Sequence, residues 1–183
     1  MEPITVSGPK SGINGSTQWC DFDKKKNFLV DVQLLCKKNG ALLVFDEVVT
    51  GFRYDIGGAQ KMFGITPDLG CFAKAMSNGI PVSAITGKKE YMKYLETTFF
   101  SFTYGGDCIG LAAAKATINK IEKKNVIDHL YKAGSRLKKG MNELIKIYDL
   151  EEMLECSGYP CRSVMTIKKF SKYKKPLITK SLI

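Results

Sequence analysis

Apolar positions in this chain recur at two different periods, and the switching between them sets the fold class. Over residues 27–38, Phe28, Leu29, Val32 and Leu35 fall at helical intervals, which predicts a helix with these side chains on its inner face. Gly40 follows where a left-handed C-terminal cap is wanted. Residues 41–45, Ala-Leu-Leu-Val-Phe, are apolar throughout and too few for a helix, so they predict a short strand buried on both faces. Residues 69–73 and 82–86, each bounded by Gly or Pro, predict two more strands. From Asp107 to about residue 123 a second helix is predicted on Ile109, Ala112, Ala113, Ala116 and Ile118. A third, over residues 126–147, carries Ile127, Leu130, Leu137, Met141, Leu144 and Ile145 as its stripe, and residues 163–167 read as a strand after it. Strands alternating with helices predict an α/β layer structure, and the chain shows neither an internal repeat nor a low-complexity linker.

Composition changes this picture little. With 183 residues, 44% hydrophobic and 25% charged, the chain has the make-up of a globular protein. No apolar run reaches the 18 residues or so of a membrane span, and the start lacks a basic segment followed by an apolar core, so the expectation is a cytoplasmic protein with no membrane partner. The formal charge of +10 comes mainly from lysine pairs and triplets such as Lys24-Lys25-Lys26 and Lys138-Lys139, with only three arginines. Such runs at element ends are solvated faces, and base-edge recognition favours arginine, so no nucleic-acid partner is expected. Six scattered cysteines without a CxxC pair, and the single His129, give no metal-ligand spacing. Cys36 and Cys71, in apolar stretches, are expected to be reduced and buried.

Candidate chemistry lies at two predicted strand ends. Asp46 follows the first strand and Lys74 the second, where ligands gather in open α/β sheets. An amine and a carboxylate so placed can serve pyridoxal phosphate: the lysine holds the aldehyde, and the carboxylate keeps the ring nitrogen protonated so that the ring acts as an electron sink. Taken alone, Asp46-Glu47 is more often a helix-capping pair, Lys74 a surface lysine and Arg53 half of a surface ion pair, and Thr103 could be a helix cap. Apolar neighbours on both sides of Lys74 argue against a fully solvated amine, because apolar surroundings favour its neutral, nucleophilic form. Gly105 and Gly106 precede the second helix, so its free N–H groups could face an anion.

Three segments in order, Asp46-Glu47-Val48-Val49-Thr50-Gly51-Phe52-Arg53, Phe72-Ala73-Lys74-Ala75-Met76-Ser77-Asn78-Gly79 and Thr103-Tyr104-Gly105-Gly106, resemble the class III (subgroup II) pyridoxal phosphate aminotransferases. Within them the likeness is greatest to the branch around glutamate-1-semialdehyde aminomutase, and it extends over residues 1–125 through Glu2-Pro3, Gly58-Ala59-Gln60, Pro67-Asp68-Leu69, Gly79-Ile80-Pro81-Val82 and Gly87. The resemblance implies part of a fold-type-I large domain, mostly parallel sheet flanked by helices, over residues 1–125, and the start of a small α+β C-terminal domain over 126–183. It implies Lys74 as the catalytic Schiff-base lysine, Asp46 as the partner of the ring nitrogen, Val48 packed on the ring and Thr103 as a phosphate ligand reaching across a homodimer interface. Small-molecule amino donors and carbonyl acceptors would be the substrates.

Departures from the family pattern are as informative. After Thr-Tyr-Gly-Gly the family commonly continues Asn-Pro, whereas Asp107-Cys108 stands here, and a carboxylate beside a phosphate dianion repels it. Ser7 matches the small polar residue of the aminomutase branch rather than the gating glutamate of the ornithine and 4-aminobutyrate members. Against the aminomutase itself, its Gly-rich stretch after the lysine is replaced by Ala75-Met76-Ser77-Asn78-Gly79, so aminotransferase and aminomutase both stay open. In the family about half of the large domain precedes the Glu-Pro, including the phosphate loop and the aromatic that stacks on the pyridine. The chain is therefore expected to be a fragment, incomplete and inactive in isolation, with a catalytically silent remnant as a further alternative.

Overall fold

The computed structural model describes residues 1–4, 28–99 and 101–168, and the chain divides into two compact units, Met1–Leu130 and Tyr131–Ile183. In the first unit, α1 (Phe28–Lys38) leads into β1 (Val44–Asp46), α2 (Gly58–Phe63) and β2 (Leu69–Phe72). A 3₁₀ turn at Lys74–Met76 follows, then β3 (Ala84–Gly87), the short α3 (Lys89–Met92) and α4 (Cys108–Lys123). The sheet order is β1-β2-β3. β1 and β2 run parallel, with Val44, Phe45 and Asp46 opposite Leu69, Gly70 and Cys71, whereas β2 and β3 are antiparallel.

Helix α1 forms where the period predicted it but turns a different stripe inward. Leu29 is buried against Leu43, Phe45 and Ile65, with Val32 and Cys36 packed beside it, while Leu35 is 62% exposed. Leu29, Val32 and Cys36 lie three and four residues apart, so they form one ridge, and Leu35 projects from its flank. Strand β1 is likewise shorter and more one-sided than the apolar run suggested. Leu43 and Phe45 point into the core, but Leu42 is 45% exposed, because successive residues face opposite sides and only one side of this strand is covered among the described residues. The third strand is shifted from 82–86 to Ala84–Gly87, since Val82 packs instead against a second cluster of Phe72, Met76 and Ala114. Phe52 closes that cluster edge-on to Phe72, with ring centroids 5.8 Å apart. Cys36 and Cys71 are only half-buried; among the described residues the buried cysteines are Cys156 and Cys161.

In α4 the inward positions are Gly110, Ala114 and Ile121, with Ile118 packed in, and Ile109, Ala112 and Ala116 face out. The small residues let the helix approach the sheet closely: a Cβ on Gly110 would lie 3.3 Å from both the Pro81 carbonyl and Val82. The cap of this helix is Asp107, whose carboxylate accepts from the Gly110 N–H at 2.7 Å, and not Thr103.

Asp68 joins two strands from a single position. Its carboxylate accepts from the Leu43 N–H at 2.8 Å and from the Lys88 ammonium at 2.6 Å, so the chain entering β1 and the chain leaving β3 are both fixed to it. The Lys88 hydrogen bond, then that of Leu43, holds the Asp68 carboxyl below its ordinary range, with partial burial opposing them. Lys88 is raised in turn by its bond to Asp68.

α5 (Val126–Ile147) reaches into the second unit, where β4 (Leu154–Tyr159) and β5 (Arg162–Ile167) form an antiparallel hairpin around Pro160 and Cys161. Strand β4 was not predicted: Leu154, Glu155, Cys156 and Ser157 alternate over only four residues before Gly158 and Tyr159 break the pattern. Leu137 and Leu144, assigned to the inner stripe of α5, are 62% and 49% exposed, whereas Gly134, Lys138, Asn142 and Ile145 face the hairpin. Lys138 donates to the Gly158 carbonyl at 2.7 Å, and the Asn142 amide both donates to and accepts from the Cys156 backbone. The helix thus docks partly through polar bonds that a hydrophobic period does not register. Burial pushes the Cys156 thiol up, with Lys138 opposing, which keeps it protonated and unreactive.

Two glycines of α5 give opposite expectations. A Cβ on Gly134 would overlap the Pro160 carbonyl oxygen, so Gly134→Ala should destabilise by about 1–3 kcal/mol despite its better helix propensity. Gly140 has nothing within 4 Å, so Gly140→Ala should stabilise by about 0.5–1 kcal/mol. Urea unfolding of both variants checks the contrast. For the Asp68–Lys88 pair, the lowered Asp68 contributes stability above the unfolded carboxylate pKa of about 4 and loses it as pH falls through that region. The raised Lys88 contributes below about pH 10.4 and loses its share as pH rises beyond. Melting temperatures across pH should therefore fall less steeply at both ends for Asp68→Asn than for the parent chain.

Candidate active site

Parallel pairing places the two candidate residues at one edge of the sheet. Asp46 ends β1 directly opposite Cys71, and Lys74 comes three residues after Cys71 in the adjacent strand's exit. The Asp46 carboxylate accepts from the Val48 N–H at 3.0 Å, which closes a tight turn over the strand end. Its backbone N–H donates to the Met1 carbonyl at 2.8 Å, and the Met1 amino group donates to the Val44 carbonyl at 2.6 Å, so the outer edge of β1 is paired as well.

The chain leaves β2 through an extended Ala73 and enters the left-handed region at Lys74, with φ of 47°. A non-glycine residue there costs on the order of 1–3 kcal/mol, and such outliers gather at functional sites. The turn is closed by hydrogen bonds from Met76 to Ala73 and from Asn78 to Lys74, and by the Ser77 hydroxyl, which donates to the Ile80 carbonyl. Its effect is to separate neighbours: Phe72 and Met76 enter the core, while Lys74 stands exposed. The apolar run around the lysine thus reflects its neighbours' burial, and the enclosed amine expected from it is not found.

Lys74 opens onto a cleft of about 610 Å³. Its walls include Ile80, Pro81 and Val82 with Phe102, Tyr104, Gly106 and Asp107, so the Lys74 turn and the Thr-Tyr-Gly-Gly turn of the same chain meet across it. This volume lies within the roughly 300–1,000 Å³ of small-molecule sites. Thr103 is exposed in its turn and does not line the cleft; neither do Asp46 and Val48, which share the sheet edge with Lys74 instead. One of the N–H donors that Gly105 and Gly106 suggested for an anion is already taken, because Asp107 binds that of Gly110. Ser7, Cys20 and the basic tail beyond Lys168 lie outside the described residues.

Sequence reasoning offered Glu47 only as half of a capping pair; it is fully buried. Its carboxylate accepts from the Ala59 N–H at 2.9 Å, the Gln60 N–H at 2.8 Å and the Thr50 hydroxyl. Capping, the bland reading of Asp46-Glu47, is thus fulfilled by Glu47 on a helix 11 residues further on, a distance at which no local pattern could show it. For a pyridine aldehyde phosphate, the donor set fits in its two most specific members, an amine and a carboxylate on adjacent parallel strand ends. Among the described residues no three His, Cys, Asp or Glu group together, and no helix is long and apolar enough to cross a membrane.

Known proteins resemble this chain in sequence and in fold. Glutamate-1-semialdehyde 2,1-aminomutase of Clostridium beijerinckii is 38% identical over 138 residues, 73% of this chain and 32% of that protein. The 3-aminobutyryl-CoA aminotransferase of Cloacimonas acidaminovorans is 38% identical over 137 residues, 74% of this chain and 31% of that protein. Among solved structures, the FumI protein of Sphingopyxis sp. MTA144, in a PLP form, superposes with a TM-score of 0.71 at 27% identity, covering 76% of this chain and 33% of that one. An ω-transaminase from Sphaerobacter thermophilus gives 0.66 at 26% identity, covering 81% and 33%. The α/β fold is therefore that of the fold-type-I transaminases, and the chain spans about a third of the length of the proteins it matches. The family profile described as Aminotransferase class-III matches residues 21–161, and the chain belongs to that family.

Proposed function

We propose that this chain carries the lysine-bearing part of a pyridoxal-phosphate-dependent aminotransferase site, which moves an amino group from an amino donor to a carbonyl acceptor. The observation that carries this reading is Lys74, held in a left-handed turn at the mouth of a cleft, one parallel strand away from Asp46. Bound pyridoxal phosphate supplies the electron sink that lets a proton leave the substrate carbon. Lys74 would hold the aldehyde carbon through its amine and would take and return the substrate proton as general base and acid. Asp46 would keep the ring nitrogen protonated through a charge-assisted hydrogen bond. Val48, two residues beyond, would pack on the ring. Thr103 donates to the phosphate in the site of a second copy, as the resemblance implies and as its exposure away from the Lys74 cleft supports.

An aminomutase that moves the amino group within one molecule uses the same residues, and the 38% identity to the clostridial aminomutase favours it equally at this level. Dependence of turnover on an added amino donor and keto acid separates the two. The residues described here supply few phosphate donors, so the isolated chain is expected to show no appreciable turnover at all; a robust rate from this chain alone would contradict that expectation.

Covalent capture tests the site without requiring turnover. After incubation with millimolar pyridoxal phosphate and borohydride reduction, peptide mapping should find the label on Lys74 ahead of other lysines. Lys74→Ala should remove that label, and Asp46→Asn should weaken half-saturation by about 10–100-fold, the worth of one charge-assisted hydrogen bond. Label spread evenly over surface lysines, and unchanged by Lys74→Ala, would refute the assignment.

A further inference from the structure

We infer that Glu47 is the positioning residue for Asp46: a buried carboxylate that fixes the end of β1 so that Asp46 presents its own carboxylate to the cofactor ring. The inference rests on the proposed function for what Asp46 meets, and on geometry alone for how Asp46 is held. Adjacent strand residues face opposite sides, so as Asp46 points out to the open edge, Glu47 points in, where it is fully buried. A carboxylate is almost never left there unless its oxygens are satisfied, and both are. Oε1 takes the Gln60 N–H, and Oε2 takes the Ala59 N–H and the Thr50 hydroxyl.

The backbone of Glu47 is tied in the same way. Its N–H donates to the Cys71 carbonyl at 2.8 Å, and its carbonyl accepts from the Gly51 N–H at 2.8 Å. Glu47 is therefore joined to β2, to the first turn of α2 and to the turn at 50–51, whereas among the described residues the Asp46 side chain binds only the Val48 N–H. Space around Glu47 is closed as well: Gly58, at φ +77°, would place a Cβ 2.7 Å from Oε1. A glutamine in this position keeps the shape but turns an amide NH₂ toward a backbone N–H, so one donor meets a donor. Asp46 then loses the fixed neighbour that sets its direction, although no bond to Asp46 itself is removed.

The test compares, in the 183-residue chain, Glu47→Gln, Asp46→Asn, the double variant and, in case Glu47→Gln does not fold, the milder Thr50→Val. Ile121→Val, in a buried position of α4, serves as a control for general loss of stability. Hydrogen exchange at the Val48 amide needs no cofactor: it should quicken about tenfold in Glu47→Gln, less in Thr50→Val, and stay unchanged in Ile121→Val. An unchanged Val48 in both Glu47→Gln and Thr50→Val, or equal quickening in Ile121→Val, overturns the proposal. Borohydride capture on Lys74 gives the second arm. Half-saturation should weaken about tenfold from wild type to Glu47→Gln but not further from Asp46→Asn to the double variant, because Glu47 acts through Asp46. Equal losses in both backgrounds overturn the proposal. Failure of the wild-type chain to capture pyridoxal phosphate at Lys74 refutes the functional reading, and the Val48 exchange then still decides whether Glu47 holds the Asp46 turn.

Discussion

Parallel pairing of β1 with β2 is the constraint from which the site follows. Setting Asp46 opposite Cys71 brings the exits of two strands, far apart in sequence, to the same edge, and it is at that edge that Lys74 leaves the sheet. Shifting the register by one residue would send every side chain of β1 to the other face, putting Glu47 at the open edge and Asp46 into the core. Three devices oppose such a slip. Asp68 ties the chain before β1 to the chain after β3, Glu47 ties the chain after β1 to α2, and Phe45 is fully buried on the covered face. The placement of Asp46 and Lys74 is thus secured by residues other than the two themselves.

Backbone conformation does the remaining work. The left-handed Lys74 between buried Phe72 and Met76 shows how a residue in an apolar run reaches a cleft: the turn directs its neighbours into the core and the lysine out of it. Strain at Lys74 is offset by the hydrogen bonds of residues 76–80 and by packing of Met76 against Ala114. Gly110 and Ala114 matter for the same reason, since larger side chains would push α4 away from the sheet and widen the cleft it helps to wall.

Much of this was legible in the sequence, and the parts that were not share a cause. The helices α1, α4 and α5 and the strand exits at Asp46 and Lys74 announce themselves through period and punctuation, which are local. Which stripe each helix turns inward is not local: Leu35, Ile109, Leu137 and Leu144 are apolar yet exposed, because docking is decided by ridges such as Leu29-Val32-Cys36 and by small or polar contacts such as Gly134 and Asn142. Strand β4 escaped because its alternation over residues 154–157 is short, while its pairing with β5 and its bonds to Asn142 come from residues distant in sequence. In the candidate site, Asp46 and Lys74 were proposed from their motifs, whereas Glu47, Asp68 and the cap Asp107 act on groups reached only after folding.

The central claim is that one cofactor ring bridges the exits of β1 and β2. A crystal structure of the chain with pyridoxal phosphate tests it most directly. The account predicts continuous density from the Lys74 Nζ to the cofactor and an Asp46 carboxylate oxygen within about 2.7–3.2 Å of the ring nitrogen. Cofactor joined to another lysine, or bound at Lys74 with its ring nitrogen turned away from Asp46, would contradict it.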